Sequence, residues 1–182
     1  MAYIRYKEII VKKYNKYTYG YEFKAAAISS LAGDIWREHY PPIIGAAQVE
    51  YMLAKFQSAD QIRADIRENG YTYFTAKHIE RDKLVGYAAC KPEDGYLLLS
   101  KIYVHKDYRG NRISRSFLEE AASLCREYGF DKIRLTVNKN NETAIAVYRK
   151  MGFNTVDSIK TDIGEGYFMD DYVMERVSTA AT

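Results

Sequence analysis

Cysteine is scarce in this sequence, and long apolar runs are missing. Among 182 residues only Cys90 and Cys125 are cysteines, and neither has a metal-ligand spacing with a histidine. We therefore predict no metal site, and we expect both thiols to be small core residues in a reducing cytosol. No stretch approaches the length of a membrane span, and residues 1–16 hold no apolar run of signal length. These absences favour a cytoplasmic protein.

Charge of one sign is also missing. The chain carries 27 Lys and Arg against 24 Asp and Glu, a formal charge of +3. This mild excess suits an anionic ligand but does not call for nucleic acid. A hydrophobic fraction of 47% is ordinary for a globular protein, and we find no internal repeat or linker. We predict one domain over residues 1–182, with a disordered tail at 178–182.

One basic stretch, Lys12–Lys24, interleaves lysines with aromatic residues. Such interleaving can bind single-stranded nucleic acid. The alternative is a solvated strand end with a turn at Asn15 and Gly20. We favour the alternative because no RNA-binding motif accompanies the stretch, and we predict no nucleic-acid partner.

The most informative segment reads strand, basic loop, helix, strand. Leu97–Val104 and Lys132–Val137 have the apolar content of strands, and a helix opens near Ile113 after the loop His105–Arg112. A strand–helix–strand unit of this length predicts parallel strands with a right-handed crossover. The helix has apolar residues at gaps of three and four, which predict one buried face: Ile113, Phe117, Leu118, Ala121, Leu124, Cys125 and Tyr128.

The flanking segments predict further strands and helices. Pro41 and Pro42 should stop the first helix, Ser58 should cap the third, and Asn69-Gly70 should end it. We predict helices over residues 23–40, 45–55 and 59–69. We predict strands over Tyr3–Val11, Tyr71–Ile79, Leu84–Cys90, Asn154–Ile159 and Tyr167–Glu175, with turn-like linkers at 91–95 and 162–166.

The junction between the first strand of the unit and its helix is where we expect chemistry. A helix N-terminus leaves backbone N–H groups unpaired and carries a partial positive charge. A preceding loop with Arg109, Gly110 and Arg112 can turn those groups towards a phosphate. The alternative is a solvated turn that binds nothing, and the loop by itself does not decide between the two.

Two motifs favour the phosphate site. The segment Arg109-Gly110-Asn111-Arg112-Ile113-Ser114 resembles the pyrophosphate loop of the GNAT superfamily of N-acetyltransferases. That family has Gln or Arg, two residues, Gly, one residue, and then Gly or Ala. The segment Asn141-x-x-Ala144-x-x-x-Tyr148-x-x-x-Gly152-Phe153 resembles the second cofactor element of the family, and the spacing between the two elements fits as well.

The loop departs from the family pattern at two positions. Arg112 stands in place of the first motif glycine, and Ser114 stands in place of Gly or Ala. Either Arg112 adopts a positive φ at a cost in free energy, or the loop keeps φ negative there. Serine is small, so Ser114 should still let a cofactor approach.

The resemblance implies a GNAT-like α/β fold, an α+β mixed sheet. It should be a mostly antiparallel sheet of about seven strands with a central parallel pair and helices on both faces. It further implies acetyl-CoA as the cofactor and Tyr148 as the general acid that protonates the departing thiolate. The residues that it implies for cofactor binding are Ile102, Tyr103, Val104, Arg109, Gly110, Asn111, Arg112, Ile113, Ser114, Asn141 and Tyr148.

The resemblance also implies an acceptor, a primary amine that attacks directly in a ternary complex. A small molecule, a polyamine and a protein amine all remain open. Early helices flank the acceptor pocket in this family, and acidic residues would suit a polyamine. The first argument gives pocket candidates at Trp36, Tyr40, Glu50 and Tyr51, and the second gives Glu50, Asp170 and Asp171.

Three points stay open at this stage. The general base could be Glu50, Asp170 or Asp171, none of which has a motif behind it. A non-catalytic acyl-CoA-binding or regulatory protein on the same fold is the alternative to an enzyme. We predict no membrane partner, and a homodimer is left open.

Overall fold

A mixed β-sheet forms the framework of the computed structural model, which describes residues 5–6, 9–18 and 20–178. Its strands hydrogen-bond in the order β1-β2-β3-β4-β5-β6-β8-β7. The strands are β1 (Arg5–Tyr6), β2 (Ile9–Tyr14), β3 (Thr72–His78), β4 (Lys83–Glu93), β5 (Tyr96–Val104), β6 (Lys132–Asn138), β7 (Asn154–Gly164) and β8 (Tyr167–Val177). The helices are α1 (Tyr21–His39), α2 (Pro41–Ile44), α3 (Ala46–Phe56), α4 (Ala59–Arg67), α5 (Ile113–Glu127) and α6 (Glu142–Lys150).

The predicted fold class is confirmed. β5 and β6 are the parallel pair, with Leu97 opposite Ile133 and Leu98 opposite Arg134. The neighbouring ladders β2–β3, β3–β4, β6–β8 and β7–β8 are antiparallel. Of the helices in the described part of the chain, none combines the length and apolarity that a membrane crossing needs.

Several element boundaries differ from the predictions. The predicted linker at 91–95 was wrong in part, because β4 runs on to Glu93 and only Asp94 and Gly95 form the turn. The linker at 162–166 likewise shrinks to Glu165 and Gly166. These two residues both have positive φ, as a two-residue hairpin turn requires, so the strands on either side can pair up to the turn.

The helix signals were more accurate. α1 ends at His39 as the prolines predict, but Pro41 then opens the short α2, because proline is tolerated in a first helical turn. Ser58 caps α4 by accepting a hydrogen bond from the Gln61 N–H. α4 ends at Arg67, two residues before the predicted end. The predicted strand Tyr3–Val11 is divided between β1 and β2, and residues 3–4 and 7–8 lie outside the described residues.

The described residues fall into two compact units. The first holds the residues up to Lys91 together with Lys101–Glu120, and the second holds Pro92–Ser100 and the residues from Ala121 onwards. The single domain stays a prediction, and residues 179–182 of the predicted tail lie outside the described residues.

The sheet of the first unit has helices on both faces, as consecutive residues of β4 show. On one face, a Cβ added at Gly86 would lie 2.9 Å from the Tyr103 carbonyl oxygen and 3.2 Å from the Phe117 ring of α5. On the other face, the Tyr87 hydroxyl donates to Gln57 at the end of α3. Gly86 is therefore the residue that lets α5 and β5 approach β4 closely.

The same unit buries an ion pair between Lys101 of β5 and Asp65 of α4. Their Nζ and Oδ2 atoms lie 3.0 Å apart, and burial lowers the pKa of Lys101 against the attraction of Asp65. The Asp65 carboxylate also accepts hydrogen bonds from the Tyr73 hydroxyl at 2.8 Å and from the side-chain amides of Gln61 and Asn69. Four donors therefore satisfy the hydrogen-bonding capacity of this buried carboxylate.

The predicted core positions of α5 are buried, except at the end of the helix. Six of the seven apolar positions are buried, whereas Tyr128 is 46% exposed just beyond the last turn. Cys90 and Cys125 are both buried, as predicted.

The second unit buries a carboxylate at the end of a strand. Asp171 of β8 lies opposite Asn138, the last residue of β6, and is only 6% exposed. Burial, with repulsion from Asp170, raises the pKa of Asp171 to about 6, although a hydrogen bond from Thr136 and the charge of Lys139 oppose this. At neutral pH the protein therefore holds an ionised group in a place that favours its neutral form.

Replacing Asp171→Asn should stabilise the protein at neutral pH and have a much smaller effect near pH 4. The folded pKa of about 6 lies above the ordinary 3.8, so the parent loses stability as the pH rises between them. The full shift corresponds to about 3 kcal/mol, and we expect a gain of about 1–3 kcal/mol at about pH 7.5. Urea unfolding of the parent and the variant at both pH values measures this difference in the free energy of unfolding.

The control is Asp157→Asn, which removes an exposed carboxylate from β7. If Asp171→Asn and Asp157→Asn show the same dependence on pH, the buried carboxylate does not cost the folded state free energy.

Candidate functional site

The loop between β5 and α5 has a backbone that alternates in handedness. Gly110 has a φ of 81° and Arg112 a φ of 59°, and α5 begins at the next residue. The Ser116 N–H makes the first helical hydrogen bond, to the Arg112 carbonyl at 3.0 Å. The N–H groups of the first turn, from Ile113 to Arg115, therefore have no acceptor within the helix. Together with the left-handed positions they form a concave row of donors that suits an anion.

The structure decides between the two backbone alternatives at Arg112. Its φ is positive, so a side chain occupies a conformation that glycine adopts at no steric cost. For residues other than glycine this conformation costs about 1–2 kcal/mol. Asn111 holds the turn by donating from its amide to the Tyr108 carbonyl at 3.1 Å. The loop thus keeps the shape that the missing glycine would allow, at a cost in stability.

The side chain of Arg109 contacts the end of β5 and helix α1. Its Nε donates to the Val104 carbonyl at 3.2 Å, and its Nη2 lies 3.1 Å from a Glu38 carboxylate oxygen. Glu38 is on α1, and the sequence analysis did not single it out. A separation of 71 residues leaves no local pattern that would identify this pair.

The aromatic pocket candidates of the first unit cluster around Tyr103 of β5. The Trp36 ring lies 4.6 Å from that of Tyr40 and 5.6 Å from that of Tyr103, measured between centroids. The Tyr40 and Tyr103 rings meet edge to face at 6.4 Å, and Tyr87 adds a fourth ring at 5.2 Å from Tyr103. The structure therefore brings Trp36 and Tyr40 to the strand segment Ile102–Val104.

Two further pocket candidates make other contacts. Glu50 forms a two-pronged ion pair with Arg37 at 2.7 and 2.8 Å, and this hydrogen bonding lowers the pKa of the exposed Glu50 carboxyl. Tyr51 accepts a hydrogen bond from Lys55 on its own helix. The structure thus gives Glu50 a polar partner on α1 and Tyr51 one on α3.

The second unit holds the other cofactor candidates. Asn141 is buried and caps α6, because its side chain accepts a hydrogen bond from the Ala144 N–H at 3.2 Å. Tyr148 lies on α6, is half-buried, and meets the Phe153 ring edge to face at 6.0 Å. Their seven-residue spacing puts cap and tyrosine on one side of the helix.

The acidic candidates of this unit differ in environment. Asp170 pairs with Lys139 and is half exposed. Asp171 is buried and has the raised pKa of about 6 described above. A carboxylate with a pKa near neutrality can take up a proton at neutral pH, which suits Asp171 to act as a base.

Comparison with known proteins gives consistent results. The chain is 27% identical over 151 residues to an N-alpha-acetyltransferase of Saccharolobus solfataricus, covering 68% of this chain and 89% of the relative. It is 26% identical over 114 residues to a thialysine N-epsilon-acetyltransferase of Caenorhabditis elegans, covering 61% and 68%.

The fold is shared with a solved acetyltransferase structure. The PaiA N-acetyltransferase of Thermoplasma acidophilum, determined in complex with coenzyme A, superposes with a TM-score of 0.74 at 20% identity. The match covers 93% of this chain and 98% of the other. The family model described as Acetyltransferase (GNAT) family matches residues 31–153, more than half of the sequence. The protein therefore belongs to the GNAT family of acetyltransferases.

Proposed function

We propose that the protein transfers the acetyl group of acetyl-CoA to a primary amine by direct attack in a ternary complex. The observation that carries the proposal is the loop before α5, where two left-handed residues present unpaired N–H groups beside basic side chains. The names of the relatives in the two sequence comparisons, an N-alpha- and an N-epsilon-acetyltransferase, support an amine acceptor.

The residues present fit the cofactor that the family implies. The N–H groups from Arg109 to Ser114 would hold its pyrophosphate at the helix N-terminus. A Cβ added at Gly110 would meet nothing within 4 Å, so this side of the loop is open to a ligand. The backbone of Ile102–Val104 would pair with the pantetheine arm as a neighbouring strand does, and one of its N–H groups would face the thioester oxygen.

Acetyl-CoA supplies the thioester whose carbonyl carbon the amine attacks. Tyr148 would hydrogen-bond or protonate the departing sulfur. Free tyrosine has a pKa of about 10 and a thiol about 8.5, so this proton moves uphill in water. A desolvated thiolate is a stronger base, and a site from which water is excluded would reduce that difference.

The acceptor needs a base, because an alkylamine with a pKa of about 10.4 is almost wholly protonated at neutral pH. Glu50 is a weak candidate, since its ion pair with Arg37 lowers its pKa. Asp170 is paired with Lys139. We propose Asp171, because it is buried and its pKa of about 6 lies near neutrality.

The identity of the acceptor is a proposal only at the level of a primary amine. Small amines, polyamines and protein amines are all candidates, and a cytoplasmic location stays a prediction. An acyl-CoA-binding or regulatory protein without catalysis is the second candidate, which the strained Arg112 in place of the motif glycine favours.

An acetylation screen tests the proposed function. The parent protein should bind coenzyme A in a calorimetric titration, and it should release free thiol from acetyl-CoA in the presence of at least one class of amine. Binding without thiol release across small amines, polyamines and protein amines would favour the non-catalytic alternative. If the parent protein does not bind coenzyme A, both the acetyltransferase and the non-catalytic acyl-CoA-binding protein are excluded.

The change Arg112→Gly should stabilise the protein and weaken its binding of coenzyme A. Relief of the positive φ should raise the free energy of unfolding by about 1 kcal/mol. Loss of a charge-assisted contact to phosphate should lower the affinity roughly three- to tenfold. Urea unfolding and calorimetric titration measure the two effects separately.

The matched variant is Arg112→Ala, which removes the charge but keeps a side chain at positive φ. It should lose affinity without gaining stability. Tighter binding by Arg112→Gly than by the parent would instead mean that strain in the loop, and not its charge, controls the affinity.

The change Tyr148→Phe should lower kcat more than it changes cofactor affinity. The interaction with sulfur develops mainly in the transition state, and general acid assistance is typically worth about 10²–10⁴-fold. We expect about 10²-fold, because the proton transfer is uphill. The ring remains, so its contact with Phe153 should survive.

Steady-state kinetics with the acceptor found in the screen measure this effect, and a melting curve confirms folding. Tyr128→Phe is the control, because it removes a hydroxyl from an exposed tyrosine of the same unit. An unchanged kcat in folded Tyr148→Phe, with chemistry limiting the rate, would exclude Tyr148 from the mechanism.

A further inference from the structure

Strand β7 forms an open edge of the sheet. It pairs with β8 on one side, and no strand lies on its other side in the part of the chain that the structure describes. The nine residues 154–162 are all exposed, although successive side chains of a strand point to opposite faces. An edge strand of this kind presents backbone N–H and C=O groups with which a strand of another chain can pair.

This edge has the length and composition of a strand that can pair further. The opposite edge of the sheet is β1, which has two residues, whereas β7 has 11 and contains no proline. Val156 and Ile159 are 52% and 38% exposed, and Phe168 on β8 is 43% exposed. Irregularities in the pairing with β8 fall at Val156 and Ile163, which leaves residues 157–162 as a regular segment.

Two charges on either side of Thr161 make this edge complementary to itself. The sequence there is Lys160-Thr161-Asp162. If two copies of β7 pair antiparallel about a two-fold axis at Thr161, Lys160 of each copy lies opposite Asp162 of the other. Opposite charges that face each other across antiparallel strands stabilise the pairing, whereas like charges destabilise it. The same two residues therefore give two symmetric ion pairs.

Other symmetric registers of the regular segment lack this match. Side chains that lie opposite each other must point to the same face, so the two-fold axis has to pass through a residue and not between two. An axis at a charged residue would place two like charges together. An axis at Ser158 or Ile159 would bring no opposite charges together. Thr161 is the remaining position within residues 157–162, so charge selects one register.

The structure already holds both charges at the edge. Lys160 and Asp162 are two residues apart on one strand, so their side chains point to the same face. The Lys160 ammonium lies 4.8 Å from the centroid of the Phe168 ring, and Oδ1 of Asp162 accepts a hydrogen bond from the Gly164 N–H at 2.8 Å. A carboxylate has two oxygens, so Asp162 can bind a lysine as well. These contacts restrict both side chains, which lowers the entropy that pairing costs.

We propose that the protein forms a two-fold dimer in which β7 of one copy pairs antiparallel with β7 of a second copy, centred on Thr161. Each Lys160 then lies between the Phe168 ring of its own chain and the Asp162 carboxylate of the other copy. The two strands bury each other's edge, and the mixed charges, which would repel a strand in most registers, fix this one.

The first test is the mass of the parent protein in solution. Sedimentation equilibrium at micromolar concentration should give twice the 21.1 kDa of one chain. A monomeric parent overturns the dimer. Because the measurement contains no coenzyme A, its outcome does not depend on the proposed function, and each proposal can fail while the other stands.

Reversal of charge tests the register. Lys160→Asp places like charges opposite each other in both pairs and should weaken the dimer about tenfold or more, and Asp162→Lys should do the same. The double variant exchanges the two charges and restores both pairs, so its dimer affinity should return to within about threefold of that of the parent. Lys150→Asp is the control, because it reverses an exposed charge on α6 and should leave the dimer unchanged.

The charge variants also define what would contradict the register. Melting curves confirm that each variant is folded, as the exposure of both positions leads us to expect. A dimer that survives both single reversals overturns the proposal, since another surface must then form it. A folded double variant that stays monomeric overturns it as well.

Disulfide trapping tests the axis without changing a charge. In this register the two Thr161 residues lie directly opposite each other, with Cα atoms about 4.5–5.5 Å apart, a separation that a disulfide can span. Thr161→Cys should therefore give a covalent dimer under mild oxidation. Thr155→Cys should not, because the two copies of a residue six positions from the axis lie about 40 Å apart.

The native thiols should not interfere with the trapping experiment, because Cys90 and Cys125 are both buried. The parent protein, oxidised in the same way, measures their contribution. Covalent dimers that form with Thr155→Cys as readily as with Thr161→Cys, or a dimeric Thr161→Cys protein that does not cross-link, would overturn the proposed axis.

Discussion

The left-handed backbone at Gly110 and Arg112 is the constraint on which the candidate site depends. These two positions turn the chain from the end of β5 into the first turn of α5, and so decide where the N–H groups of the loop point. A glycine at 112 would adopt this shape at no steric cost, whereas arginine accepts it at a cost in stability. Arginine at this position lowers the free energy of unfolding but adds a positive charge to the loop.

Environment, more than residue type, separates the acidic groups of this chain. Asp65 is buried but holds four donors, Glu50 is exposed and paired, and Asp171 is buried beside a second carboxylate. The same functional group is therefore a structural anchor, a surface charge or a buried group with a pKa near neutrality. Sequence position alone distinguishes none of these roles.

The sequence predicts well what depends on neighbouring residues. Apolar spacing located α5, a serine marked the cap of α4, and a short motif located the loop before α5. Strand ends were predicted less well, because the polar residues before Gly95 and Gly166 resemble a long turn but pair as strands.

Contacts between distant parts of the chain could not be predicted. Glu38 and Arg109 are 71 residues apart, and Asp65 and Lys101 are 36 apart. Their side chains look like ordinary surface charges in the sequence, and only the folded sheet brings each pair together. The same holds for Trp36 and Tyr40, whose placement against Tyr103 no local pattern specifies.

Gly86 shows how far such a constraint can reach. It contacts no proposed ligand and has no chemical group of its own, yet a single methyl group there would collide with the carbonyl of Tyr103. The displaced strand would be the one whose backbone we propose to face the thioester. Among natural variants of this chain, position 86 should therefore tolerate less change than many residues with reactive side chains. A variant that lost activity through substitution of Gly86 would be mistaken for one with a damaged active site.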